Sequence, residues 1–169
     1  GIIAGQGTAG LEIAEDAARF GVRLDEVLAP CSGGGLVSGV ALGLKGSGVA
    51  ARVHSVEPEN FDGLKRSLAA GERVTAPGGP LSIADALMSP FAGEIVFELA
   101  RGLLAPGIAV SDAELQDAMA FAARELKLLV EPGGAAALAA VLAGKIGVRD
   151  RAVALVLSGG NADFAVNLR

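Results

Sequence analysis

The chain is poor in residues that build covalent or metal-bound scaffolds. One cysteine, Cys31, and one histidine, His54, occur in 169 residues. An internal disulfide and a His/Cys zinc cage are therefore both excluded, and a reducing cytoplasmic setting is expected. Long apolar runs are missing as well: the longest, from Ala135 to Ala143, falls well short of the roughly 20 residues needed to cross a bilayer, so no membrane partner is expected. Positive charge is in deficit, with 14 Lys+Arg against 19 Asp+Glu and a net charge of −5. Such a chain offers no field to attract a phosphate backbone, which argues against nucleic acid as a partner. The opening Gly1-Ile2-Ile3-Ala4 carries neither an initiator Met nor a basic flank; it reads as the interior of a longer protein and not as a signal peptide.

What the chain has in excess is glycine. There are 25, about twice the usual share of roughly 7%, and they gather at the ends of apolar runs. With 51% hydrophobic residues the chain is too apolar for disorder, and its length suits one domain. Short apolar runs alternate with Ala/Leu-rich segments of helical period, which predicts an α/β fold: an open, mostly parallel sheet flanked by helices. Strands are expected at 1–4, 26–30, 52–57, 108–110, 128–130 and 152–157. Helices are expected at 8–20, 36–45, 60–70, 93–104, from 111 onward and at 133–144. Ser111 with Glu114 three residues later forms a capping-box pattern. His54, alternating with Val53 and Ser55, is expected at the surface or core edge of its strand, and Cys31 as a semi-buried packing residue.

Two glycine motifs differ in context. Gly5-Gln6-Gly7-Thr8-Ala9-Gly10 is a formal GxGxxG with Asp25 further on, open to a dinucleotide reading or to a tight strand-to-helix turn. Asp25 precedes the apolar run 27–29, the wrong end for a ribose-binding acid. Ser32-Gly33-Gly34-Gly35-Leu36 follows a strand and opens a helix, where unpaired amides and the positive helix end converge on an anion; the alternative is a tight turn with no ligand. Ser158-Gly159-Gly160-Asn161 repeats the strand-to-glycine transition. In a parallel sheet both loops lie at the carboxyl ends of strands, where open α/β sheets bind ligands. Ser158 is either a ligand hydroxyl or an ordinary turn serine. Cys31, Ser32 and His54 do not form a hydrolytic set, since Pro30 stands where a nucleophile elbow places glycine.

Taken in order, Ala4-Gly5-Gln6-Gly7-Thr8, Pro30-Cys31-Ser32-Gly33-Gly34-Gly35-Leu36, Val56-Glu57-Pro58-Glu59, Ile83-Ala84-Asp85, Val110-Ser111-Asp112, Val130-Glu131-Pro132-Gly133-Gly134-Ala135 and Leu157-Ser158-Gly159-Gly160-Asn161 resemble the fold-type II pyridoxal-phosphate enzymes. The match is specifically to the threonine/serine dehydratase and serine racemase group, whose large domain is of the tryptophan synthase β type. The resemblance implies that Ser32, Gly33, Gly34, Gly35 and Leu36 hold the phosphate of pyridoxal 5'-phosphate, that Ser158 bonds the pyridine nitrogen, and that Glu131 stands near the cofactor. Glu57, the carbonyl of Phe61 and Asp62 resemble the magnesium or calcium site of part of the family, although the acid expected after Asp62 is Gly63.

The family's cofactor-bonding lysine sits in a Ser-x-Lys segment upstream, and Lys45, Lys65, Lys127 and Lys145 have no such context. The resemblance thus implies that residues 1–169 form the C-terminal part of a large domain. The small domain and the lysine would lie in a missing N-terminal half. It also implies β-elimination of a hydroxy amino acid to a 2-oxo acid and ammonia by a homodimer, with this chain inactive alone. A serine racemase-like isomerase, a non-catalytic module for another phosphorylated ligand, and an NAD domain are the alternatives.

Overall fold

In the computed structural model, which describes residues 1–162, the apolar run 27–29 lies at the heart of the sheet. Strand β1 (Glu26–Pro30) is buried along its whole length, as a parallel strand covered by helices on both faces must be. Strand β2 (Arg52–Pro58) runs parallel beside it, Glu26 against Arg52 through Pro30 against Val56. Beyond β2 lies β3 (Ile108–Val110), with Val56 against Ile108. On the other side of β1 lies β4 (Val153–Leu155), with Glu26 against Val153 and Leu28 against Leu155. The order is β3-β2-β1-β4, all parallel, the open parallel sheet that the sequence predicts.

Alternation along β1 divides the core in two. Val27 and Ala29 join Val37, Val40, Leu64 and Phe97, which come from α2 (Gly35–Gly46), α3 (Gly63–Ala70) and α4 (Glu94–Leu103). Leu28 joins Val110, Leu115, Met119 and Leu138, drawing on α5 (Asp112–Phe121) and α6 (Ala136–Leu142). The capping box forms at the start of α5: Ser111 Oγ accepts the Glu114 amide at 3.3 Å, and Glu114 Oε2 accepts the Ser111 amide at 2.8 Å. No helix among the described residues is long and apolar enough to cross a membrane.

Residues 1–4 do not form the expected strand. They open α1 (Ile2–Arg19), and the GxGxxG lies inside that helix instead of turning into it. The reason is packing against α2. A Cβ on Gly10 would fall on the Val40 carbonyl oxygen, one on Gly43 would fall on the Gly7 carbonyl oxygen, and one on Gly39 would lie 2.7 Å from the Ile3 carbonyl oxygen. Glycines on both helices let their backbones approach, and this outweighs the β preference of Ile2 and Ile3. Asp25 accepts the Ala152 amide at 2.9 Å, ahead of β1 at the amino edge of the sheet. The dinucleotide reading has no structural basis here.

Other boundaries shift for local reasons. Asn60 has φ 68, a left-handed residue that delays α3 to Gly63. A π-helical turn (Ala122–Leu126) ends at Lys127, φ 59, and residues 128–130 continue as a loop without strand pairing. Pro132 and the two glycines after it hold back α6 until Ala136, and β4 is trimmed to Val153–Leu155 within 152–157.

Candidate functional site

Parallel pairing sends every strand's carboxyl end to one edge. The amide of Val156 reaches the Leu28 carbonyl at 3.0 Å, so β1 and β4 stay aligned until both chains leave the sheet. The loop 31–35 and the loop 156–161 therefore leave neighbouring strands at the same edge. Gly34 is the N-cap of α2 with φ 85, and a Cβ there would fall on Cγ1 of Val96. The first bond of α2 is from the Ser38 amide to the Gly34 carbonyl, 3.1 Å, so the amides of Gly35, Leu36 and Val37 have no intrahelical acceptor. Ser32 is half-buried and Gly33 exposed, with open space where a Cβ of Gly33 would stand. Ser158 is exposed on the adjacent loop.

A third loop is bound to the second. The Glu131 amide donates to the Gly159 carbonyl at 3.0 Å, and the Asn161 amide donates to Glu131 Oε2 at 3.0 Å. A Cβ on Gly134 would lie 2.7 Å from the Gly159 carbonyl oxygen. Glu131 thus clamps the Ser158 loop through its backbone, a role visible in sequence only as two Gly-Gly pairs. Nearby, Asp112 accepts from Ser82 Oγ at 2.6 Å and from the Ile83 amide at 3.2 Å, drawing the segment before Ala84 and Asp85 onto the start of α5.

Glu57 and Asp62 both hold partners on α3. Both Glu57 oxygens accept amides of α3, Leu64 at 2.9 Å and Lys65 at 2.7 Å. Burial pushes its carboxyl up to about 7, the two amide bonds opposing and the nearby Asp62 adding to the rise. Asp62 takes Lys65 Nζ at 2.9 Å and Arg66 Nε at 2.6 Å. Burial works against its charge, but the bonds from Arg66 and Lys65 prevail and hold it below the usual carboxylate range. No cluster of three His, Cys, Asp or Glu side chains suited to a metal ion forms among the described residues.

Cys31 is fully buried and not semi-buried; burial first, and then the Glu57 charge, push its thiol well above the ordinary range. His54 is also buried, not at a surface, because Glu26 and Pro106 enclose it. Its Nε2 lies 2.8 Å from Glu26 Oε2 and its Nδ1 2.9 Å from the Pro106 carbonyl. Glu26 is also bonded by Arg52 and by Arg151, the latter at 2.5 Å. Sequence periodicity missed this cluster because its members come from residues 26, 52, 54 and 151.

A family model described as pyridoxal-phosphate dependent enzyme matches residues 1–159. The chain belongs to the pyridoxal-phosphate-dependent enzymes. Within them it falls in the fold-type II group of threonine dehydratases and serine racemases. It is 38% identical over 162 residues to an L-threonine ammonia-lyase of Thermotoga maritima, covering 96% of this chain and 39% of that protein. It is 37% identical over 169 residues to a serine racemase of Oryza sativa, covering 97% and 48%. A solved structure of a threonine deaminase from T.th. superposes with a TM-score of 0.88 at 42% identity, covering 96% of this chain and 59% of that one. The chain thus spans about half the length of the curated relatives it matches. The residues present fit the family's cofactor. Amides without intrahelical acceptors stand at the α2 N-terminus, beside a Gly34 whose conformation excludes a side chain, and the Ser158 hydroxyl is on the neighbouring strand end at the same edge.

Proposed function

We propose that this chain forms the phosphate- and ring-nitrogen-binding part of a threonine/serine dehydratase, which eliminates the β-hydroxyl of a small hydroxy amino acid. The observation that carries the reading is the shared edge of the Gly34 cradle and Ser158. Amides of residues 32–36 meet the phosphate through their dipoles, with no lysine required. Ser158 accepts or donates a hydrogen bond at the pyridine nitrogen, and its neutral hydroxyl does not hold that nitrogen protonated as a carboxylate would. Glu131 fixes the loop that presents it. When bound, the cofactor supplies the electron sink that makes the Cα proton of an amino acid removable. The weak sink left by a serine favours loss of the β-hydroxyl over transamination. Net, the hydroxy amino acid gives a 2-oxo acid and ammonia.

Racemisation shares removal of the same proton, and the serine racemase of rice is nearly as similar as the ammonia-lyase of Thermotoga; D-serine formation by the whole enzyme distinguishes the two. The binding test uses 4-deoxypyridoxine 5'-phosphate, which needs no lysine, with pyridoxal lacking the phosphate as control. Phosphate-dependent binding by the purified chain is expected, weakened roughly three- to tenfold by Ser158→Ala. Binding indifferent to Ser158 would favour a module for some other phosphate ester.

A further inference from the structure

We propose that Lys65 and Arg66, docked on Asp62, and the first amides of α3, docked on Glu57, take the place of the divalent cation found in part of this family. The segment 57–66 is then held without metal. The resemblance asks for three oxygens: the Glu57 carboxylate, the Phe61 carbonyl and an acid just after Asp62. The Glu57 side chain is 1% exposed, and each of its oxygens already receives an amide hydrogen, from Leu64 at 2.9 Å and Lys65 at 2.7 Å. A carboxylate reaching from a neighbouring strand thus does for α3 what an N-cap side chain does, and the N-cap residue Asp62 makes no such bond itself.

Asp62 is committed in another direction. Its side chain is 2% exposed, and its two oxygens hold the ammonium of Lys65 at 2.9 Å and the guanidinium of Arg66 at 2.6 Å. The single negative charge of Asp62 is thereby faced by two positive ones drawn from the same helix. A divalent ion would have to displace the amides, the ammonium or the guanidinium, leaving buried polar groups unpaired. The third ligand cannot be supplied at position 63 either. A Cβ on Gly63 would lie 2.9 Å from the Pro90 carbonyl oxygen and 3.2 Å from Phe91 Cα, so backbone occupies the space an acid there would need.

The anchor bears on the cofactor edge by packing. Leu64, buried at the start of α3, has its Cδ2 3.5 Å from where a Cβ of Gly34 would stand. Fixing α3 therefore helps fix the cap of α2, whichever reaction the whole enzyme performs.

The test uses the purified chain, stripped with a chelator and then titrated with magnesium or calcium chloride while thermal unfolding and binding heats are followed. The expected result is one midpoint throughout and no saturable heat. An ion at one hundred times its dissociation constant would raise the midpoint by roughly 5–10 °C. A saturable rise that Glu57→Gln abolishes overturns the proposal; a rise that survives Glu57→Gln comes from elsewhere and leaves the segment metal-free. The double variant Lys65→Met, Arg66→Met is expected to melt several degrees lower in chelator. Should it not fold, Lys65→Met alone is read in its place, and an unchanged midpoint in the variant read shows that these cations do not hold the segment.

Discussion

Gly34 and Gly33 are adjacent in sequence and demand opposite experiments. At Gly34, φ 85 and the clash of a Cβ with Val96 mean that Gly34→Ala strains the fold itself, with a loss of about 1–3 kcal/mol in urea unfolding. At Gly33 a methyl group meets nothing within 4 Å, so Gly33→Ala should stay within about 0.5 kcal/mol of wild type. If the phosphate lies in the open space beside Gly33, the added methyl group crowds it, and that same variant should bind 4-deoxypyridoxine 5'-phosphate about tenfold more weakly. Unchanged binding would remove Gly33 from the cradle. Glu57 carries a second prediction. Its carboxyl titrates near 7 when folded, from a reference value of 4.5, so between those values the folded state holds the proton that the unfolded chain has released. Stability therefore falls as pH rises through that window and is lowest above it, by about 3 kcal/mol at most. Urea unfolding at pH 5 and pH 8 should show this fall in wild type and a smaller one in Glu57→Gln; equal falls would place its origin elsewhere.

Helix α1 shows why a motif is not an element. Gly5 and Gly10 belong to one GxGxxG, yet a Cβ on Gly5 meets nothing while one on Gly10 strikes the Val40 carbonyl. Gly5→Ala should therefore stabilise the chain by up to about 1 kcal/mol through helix propensity. Gly10→Ala should destabilise it by about 2 kcal/mol, because backbone cannot step aside as a side-chain tip can. Thermal unfolding of the two variants separates this packing role from a phosphate-binding turn, in which Gly5 would be indispensable. The strands at 26–30 and 108–110 and the capping box of Ser111 and Glu114 were legible because burial and local hydrogen bonding act within a few residues. The start of α1, the clamp of Glu131 on Gly159 and the docking of Glu57 on α3 were not, since each depends on a partner supplied by another part of the chain. The glycine loop lay between these cases: its position after a strand was readable from residues 30–36, but the exclusion of a side chain at Gly34 comes in part from Val96, distant in sequence.

At the scale of the whole molecule, the edge that gathers the glycine loop and Ser158 has binding groups and no lysine. The sequence has four lysines, and the fold pairs three of them and sets the fourth away from this edge. Lys65 pairs with Asp62 and Lys145 with Glu114. Lys127 bonds the Arg124 carbonyl on the surface, and Lys45 stands in the last turn of α2, at the far end of that helix from Gly34. On the proposed reading, the proton at Cα is then taken by a group outside residues 1–169; the chain spans about half the relatives' length. The purified chain with pyridoxal phosphate and L-threonine should yield no 2-oxobutanoate. Adding a polypeptide from upstream in the same gene that carries a Ser-x-Lys segment should restore it, and Lys→Ala in that segment should abolish turnover while leaving 4-deoxypyridoxine 5'-phosphate bound. Turnover by the chain alone would mean that one of these four lysines leaves its present place to reach the cofactor, and the division of labour between binding edge and upstream lysine would fall.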